Sequence, residues 1–341
     1  MSFSSDEKKP TRTRGGGALT DPHVVKLHGN DFSLDEKLGG LAPEERKVVA
    51  EYIEKCEETL LQLSKRGCNT PIIPFSSENH SWDSLYKVNK RHFPLKNYII
   101  LAFPLLKSIC CGPKRESKYI VECGCGTGST LLPIMNQFKD GVHFIGFDVS
   151  TAAVSALLEH PIASDFSAEG RLTVFPYDLC YGRVSASEDC RRTKFKTECG
   201  TLKTTLLEKV PGCSKGVDAA ILVFVLSSLP TIECMLYALT EIKSILHNDG
   251  ILLFRDYAVP DHNLFRFVRQ QNKKHNDLSF CKGDGTLQMF FELNFTRKLF
   301  ALAGLKEVEG HGLQYHCNRI VNRKNSKRMD KIFINGSFCL S

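Results

Sequence analysis

The sequence predicts an α/β protein: a doubly wound, mostly parallel sheet with helices on both faces, an antiparallel strand at its C-terminal end, and a helical extension in front. Three observations predict this. From Lys118 onward, short apolar runs alternate with helix-periodic stretches. A glycine-rich segment, Glu122-Cys-Gly-Cys-Gly-Thr-Gly128, joins the first such run to the first such helix. After Phe291 the rhythm changes to one helix and a pair of strand-like runs.

Taken in order, residues 1–22 read as a disordered basic leader, polar and closing on Gly15-Gly16-Gly17. Residues 23–112 read as the helical extension. Pro43 suits a first helical position, Glu44 and Glu45 suit the positive end of the helix dipole, and Gly67 suits its stop. Val48, Ile53, Leu60, Leu61 and Leu63 give this helix an apolar stripe. A second helix is expected from Lys96 to Ile109. Residues 113–341 carry the alternation, with strands expected at 119–122, 142–147, 172–175, 217–224 and 250–254 and helices at 129–138, 151–160 and 231–246. A helix over 291–303 and a strand pair, 305–314 with 331–338, close the chain. Residues 181–216, rich in Arg and Lys, read as a polar surface insertion.

Composition narrows the class. Apolar residues make up 42% of the chain, but no run of 18 occurs, so no membrane partner is expected. No secretory h-region precedes the folded part. Fourteen cysteines lack a repeated CxxC pair, which argues against a structural metal and against a disulfide framework. A cytoplasmic or nuclear setting is expected over a mitochondrial one. Net charge is +7, from 45 basic and 38 acidic residues, which suits a nucleic-acid partner without requiring one.

The glycine segment carries the chemistry. Gly124, Gly126 and Gly128 let the backbone turn sharply and approach a ligand, and the following helix start offers free N–H groups. A GxGxxG spacing would suit a dinucleotide pyrophosphate. The GxGxG found here, with Glu122 ending the strand, is the form typical of methyltransferases, whose ligand has an amino-acid end. Asp148 closes the second strand, where a carboxylate can accept both ribose hydroxyls; it also suits a helix cap beside Ser150. Asp178 and Leu179 follow the third strand, where a carboxylate can take an adenine amino group and an apolar side chain can lie under the ring. Val223, ending the fourth strand, suits an apolar contact to the same ligand or ordinary core.

Further segments, in order, give the sequence a family resemblance. Ser81-Trp-Asp-Ser-Leu-Tyr86 precedes the glycine loop. Leu222 to Ser228 reads LVFVLSS and Leu252 to Tyr257 reads LLFRDY, with Asp261 and Leu264 to Phe267 behind it. Asp284-Gly-Thr286 precedes Phe290-Phe291, and Asn322-Arg-Lys324 comes late. Together these resemble the tRNA 3-methylcytidine methyltransferases over about residues 80–338. The resemblance implies a Rossmann-like class I methyltransferase sheet, S-adenosyl-L-methionine as cofactor, a tRNA partner and, as in some relatives, a protein partner. It implies Trp82, Tyr86, Gly124, Asp148, Asp178, Leu179 and Val223 at the cofactor, with Trp82 as a lid or as an aromatic anchor. The sequence departs from the family at Leu95, Lys96, Lys282 and Lys331, where an acid and three arginines are expected, and in the 181–216 insertion. Arg and Lys are not equivalent at phosphate sites, so the departures bear on the RNA grip.

Cytosine N3 has an in-plane lone pair and needs no deprotonation, and transfer leaves the base cationic. A carboxylate at the carboxyl end of the fifth strand would stabilise that charge, which nominates Asp256, with Arg255 beside it to hold it or to contact RNA. A buried Arg255–Asp256 ion pair is the competing expectation. Arg266, Arg269, Lys273, Lys274, Arg323 and Lys324 are candidate phosphate contacts. Two other readings stay open: methyl transfer to a small molecule or protein, and a non-catalytic cofactor-binding subunit.

Overall fold

The parallel strands of the sheet feed apolar side chains alternately to its two faces, and this alternation builds two cores. In the computed structural model, which describes residues 19, 30–66, 80–89, 93–112, 117–180, 182–183, 200–321, 326 and 328–341, Ile120 faces one core while Val121 faces the other. Ala219, Ile221 and Val223 alternate with Ala220 and Leu222 in the same way.

The N-terminal part comprises α1 (Leu34–Gly39), α2 (Pro43–Arg66), α3 (His80–Val88), α4 (Ile99–Ala102) and α5 (Pro104–Cys110). The alternating part follows: β1 (Lys118–Cys123), α6 (Leu131–Gln137), β2 (Val142–Asp148), α7 (Thr151–Leu158), α8 (Pro161–Ala168), β3 (Leu172–Asp178) and β4 (Gly182–Arg183). Then come α9 (Leu202–Lys209), β5 (Val217–Val223), α10 (Ile232–Ile245), β6 (Leu246–Tyr257) and α11 (His262–Val268). The chain ends with β7 (Phe280–Cys281), β8 (Leu287–Gln288), α12 (Leu293–Leu302), β9 (Leu305–Glu307), β10 (Gln314–Val321) and β11 (Arg328–Leu340).

The main sheet runs in the order β10-β11-β6-β5-β1-β2-β3-β4, with β9 on β11. β6, β5, β1, β2 and β3 are parallel, whereas β11 joins β6 antiparallel. Strand order therefore reverses between β1 and β5. The loops leaving those two strands diverge and open a crevice at the carboxyl edge of the sheet, where such folds place ligands.

Several expectations are corrected. Residues 200–216 are not a polar insertion: α9 packs on α10 and buries Leu202, Leu206, Val210 and Cys213. The rest of that segment, apart from Gly182–Arg183, and almost all of the expected leader lie outside the described residues. The apolar face of α2 runs through Val49, Tyr52, Cys56 and Leu60, while Leu61 is 55% exposed. Val48, Ile53 and Leu63 pack against the same core, so of the expected stripe only Leu61 turns away. The expected helix 96–109 breaks at Phe103, because Pro104 cannot continue the hydrogen-bond ladder. The long partner of β11 is β10, with β9 only a three-residue addition.

Candidate functional site

The three glycines of the loop after β1 all have positive φ (69°, 51° and 83° at Gly124, Gly126 and Gly128). Each also meets a neighbour where a side chain would stand. A Cβ on Gly124 would lie 2.6 Å from Val225, one on Gly126 would lie 2.6 Å from the Tyr86 hydroxyl, and one on Gly128 would lie 2.5 Å from Leu157. The first two keep the crevice open and let α3 come down on the loop. Gly128 lets α6 and α7 pack closely, so it serves packing instead of lining the crevice.

The crevice is an open hollow enclosing about 860 Å³ of space, its solvent-filled mouth included. Trp82, Tyr86, Glu122, Gly124, Gly126, Asp148, Asp178, Leu179 and Val223, drawn from α3 and four strand ends, all line it. Asp148 Oδ2 accepts from the Gly126 N–H at 2.8 Å and Oδ1 from the Ser150 N–H at 2.9 Å, so the carboxylate fixes the loop while facing the hollow. Burial raises its pKa to about 6, against the pull of those two N–H groups. Asp178 Oδ1 accepts from Cys180 N–H at 2.8 Å, which aims the β3 end in the same way. One side of the hollow thus holds two carboxylates with Leu179 beside them. The other holds Glu122, the bared loop and the start of α6.

Glu122 is 2% exposed, and its Oε2 has no hydrogen-bond partner among the described residues. Burial raises its pKa, opposed by the nearby ammonium of Lys96, whose own pKa burial lowers. Lys96 donates to Ser129 Oγ at the start of α6. A buried acid and base facing one hollow, the acid with an unfilled acceptor oxygen, make a receptor for a group carrying both charges.

Helix α3 is fastened over this site by Asp83, a member of the Ser81–Tyr86 segment to which no role was assigned from sequence. Its Oδ1 accepts from Ser150 Oγ at 2.9 Å and from the Ala152 N–H at 3.1 Å, at the start of α7. Burial would raise its pKa, but the bonds from Lys87, Ala152 and Ser150 outweigh this and hold it near 2. Trp82 and Tyr86 stack with centroids 6.1 Å apart. The Lys282 ammonium lies 5.4 Å from the Trp82 ring, tying the segment before the Asp284-Gly-Thr286 turn to α3.

The expected catalytic pair sits differently. Arg255 and Asp256 do not line the hollow and make no ion pair with each other. Asp256 is fully buried; its oxygens accept from Ser227 N–H at 3.0 Å and Tyr257 N–H at 2.8 Å, so it shapes the turn Leu226–Ser228 behind the hollow. Burial pushes it to about 7. Arg255, pointing the other way as strand alternation requires, reaches His316 at 2.8 Å and Asn335, with its guanidinium 4.4 Å from the Phe333 ring. Of the candidate phosphate contacts, Arg269 pairs with Glu45 at 3.1 Å and Lys274 with Asp277 at 2.7 Å. Asn322-Arg323-Lys324 lies outside the described residues. Lys331 is drawn inward to Asp261 at 3.0 Å, a structural pair instead of an RNA contact.

Residues 101–309 match the protein family described as "Methyltransferase domain", more than half of the chain. The chain belongs to this methyltransferase domain family. Among curated relatives, the tRNA N(3)-cytidine methyltransferase METTL6 of Rattus norvegicus is 28% identical over 259 residues, covering 76% of this chain and 78% of its own. The tRNA N(3)-cytidine methyltransferase METTL2 of Bos taurus is 28% identical over 296 residues, covering 84% and 70%. An O-methyltransferase 3 of Dictyostelium discoideum is 26% identical over 219 residues, covering 64% and 43%. Among solved structures, a SAM-dependent methyltransferase of Anabaena variabilis superposes with a TM-score of 0.50 at 10% identity, over 79% of this chain and 97% of that one, a likeness of fold. In this methyltransferase-domain protein no described helix is long and apolar enough to cross a membrane, and no described cluster of His, Cys, Asp and Glu is arranged to hold a metal ion.

Proposed function

We propose that the protein is an S-adenosyl-L-methionine-dependent methyltransferase that forms N3-methylcytidine in the anticodon loop of tRNA. The observation that carries the reading is the receptor at the β1/β5 crevice. A zwitterion receptor (Glu122, Lys96 and the loop of Gly124 and Gly126) lies at one end, and two carboxylates with an apolar shelf (Asp148, Asp178, Leu179) lie at the other. The cofactor has this sequence of groups: an ammonium and carboxylate, then a ribose, then an adenine. The residues fit it: Glu122 Oε2 is an acceptor awaiting a donor, and Asp148, with one N–H on each oxygen, keeps lone pairs for two hydroxyls. The tRNA relatives, alike over most of this chain, support the choice of substrate.

Bound there, the cofactor supplies an electrophilic sulfonium methyl. Glu122, Lys96, Asp148 and Asp178 would hold it so that N3 of an unpaired cytidine takes that methyl, the electron pair of the S–C bond staying on sulfur. No base is required, so the protein's work is alignment and exclusion of water. Asp148 and Asp178 fix the adenosine end, and α3 covers the site through Trp82 and Tyr86. Val223 packs beside the reacting groups. N3 is masked in a base pair, so the substrate must be a loop base or an extruded one. Arg255 and Asp256 hold the walls of the hollow and touch neither partner directly. A cytoplasmic or nuclear setting and dependence on a protein partner belong to the same reading. The test is nucleoside mass spectrometry of tRNA from cells with and without the protein: 3-methylcytidine should fall in its absence, and an unchanged level would refute the assignment.

A further inference from the structure

We propose that Phe224 is the platform on which the reacting base lies, its ring face stabilising the positive charge that the base acquires on methylation. The inference rests on the reading above, that a ring nitrogen of an RNA base is the acceptor.

Three observations carry it. The first is backbone strain. Phe224 directly follows the last residue of β5 and adopts φ 61°, the left-handed region that a bulky side chain enters only under strain. Its N–H donates to Arg255 O at 2.8 Å, so the main chain is pinned in this state. A ring needed only for packing could be buried from an ordinary extended residue, as Leu222 is. The unusual φ turns the ring out of the core to the crevice, where it is half-buried and lines the hollow beside Val223.

The second is rigidity. The ring of Tyr257 lies 4.8 Å from that of Phe224 and the ring of Phe333 meets it edge-on at 5.5 Å. Phe224 is therefore backed on the protein side and presents a fixed surface to the hollow.

The third is charge. The Lys96 ammonium lies 5.8 Å from the Phe224 ring centroid and equally 5.8 Å from that of Phe93, and the Arg255 guanidinium lies 5.9 Å from Phe224. This wall already holds cations against π-systems. The Glu122 carboxyl lies near Lys96 on the same lining, so the wall need not repel a further cation. A methylated cytosine is a planar cation, and a ring face attracts it more strongly than it attracts the neutral base. That difference acts on the transition state. The carboxylate alternative is weak here, because Asp256 is fully buried and does not line the hollow.

The test uses the full chain saturated with S-adenosylhomocysteine and an anticodon stem-loop RNA carrying one 5-iodocytidine in its loop. Irradiation followed by peptide mass spectrometry should place the adduct on Phe224. The adduct should vanish in Phe224→Leu and persist in Phe224→Tyr. Trp82 is the chain's single tryptophan and lines the hollow, so its fluorescence reports cofactor affinity in every variant. That affinity should stay within about threefold of wild type, which also shows that each variant is folded. In turnover, Phe224→Leu should lose at least about tenfold in kcat with a smaller change in KM, while Phe224→Tyr stays close to wild type. An adduct elsewhere, no adduct, a wild-type kcat in Phe224→Leu, or cofactor affinity lost along with the ring would each overturn the platform. An adduct on Phe224 without 3-methylcytidine formation would leave the platform standing and contradict the assigned reaction instead.

Discussion

The Tyr86 hydroxyl fills the space that a side chain on Gly126 would need, with an ideal Cβ 2.6 Å from the oxygen. The glycine loop and the covering helix α3 are therefore fitted to each other. A residue of the N-terminal extension closes onto the turn that the first strand of the sheet presents, and neither is complete alone.

Gly126→Ala should consequently act through the lid. It combines a positive φ with a clash against a buried ring, a cost of about 1–3 kcal/mol in stability. Cofactor affinity should fall by at least about tenfold as α3 is pushed off. Thermal melting and Trp82 fluorescence check this, and a variant with wild-type affinity would show that the contact is incidental.

Asp83→Ala removes the fastening at the start of α7, where the carboxylate serves the Ala152 N–H and the Ser150 hydroxyl. A loss of about 1 kcal/mol is expected, as for a helix cap. Cofactor affinity should fall while the parallel sheet stays intact. Hydrogen exchange checks it: protection should drop over 80–88 and stay unchanged over 118–123.

Asp148 gives a pH-dependent signature. Its pKa is raised in the folded state to about 6 from an ordinary 3.8. The folded protein thus binds the proton more tightly than the unfolded chain does. The associated stability is fully present below about pH 4 and lost as pH rises through 6. Asp148→Asn abolishes this dependence. The stability difference, variant minus wild type, should rise by about 2–3 kcal/mol between pH 4 and pH 7, whatever constant cost the lost acceptor adds. Denaturant titrations across that range measure it, and a flat difference would mean that the carboxylate is not desolvated.

Asp256→Ala should slow methyl transfer by about tenfold or more while changing cofactor affinity less, because the side chain holds the Ser227 turn behind the hollow. Single-turnover rates beside equilibrium titration separate the two. A parallel loss of both would place Asp256 among the groups that shape the cofactor end.

The parallel half of the fold was legible because period-two apolar runs and a glycine loop are local signals, and Glu122, Asp148, Asp178 and Val223 could be placed by their positions at strand ends. What escaped was set by tertiary contact. Asp83 looks like any exposed helical acid, and only the arrival of α7 gives it partners. Phe224 lies within the Leu222–Ser228 segment, but nothing in that segment marks a left-handed residue, which its surroundings impose. Asp256 stands at the expected strand end but does not line the hollow, because the turn after β5 that buries it is invisible from sequence. Residues 200–216 looked polar overall, yet the spacing of Leu202 and Leu206 is that of a helix buried on one side.

Calorimetric titration of S-adenosylhomocysteine into the wild-type chain and into Asp148→Asn tests the central claim most directly, with no need for a substrate RNA or a partner. One molecule should bind per wild-type chain, and the variant should bind at least about tenfold more weakly. No binding by the wild type, or equal affinity in the two proteins, would contradict the placement of the methyl donor in the β1/β5 crevice.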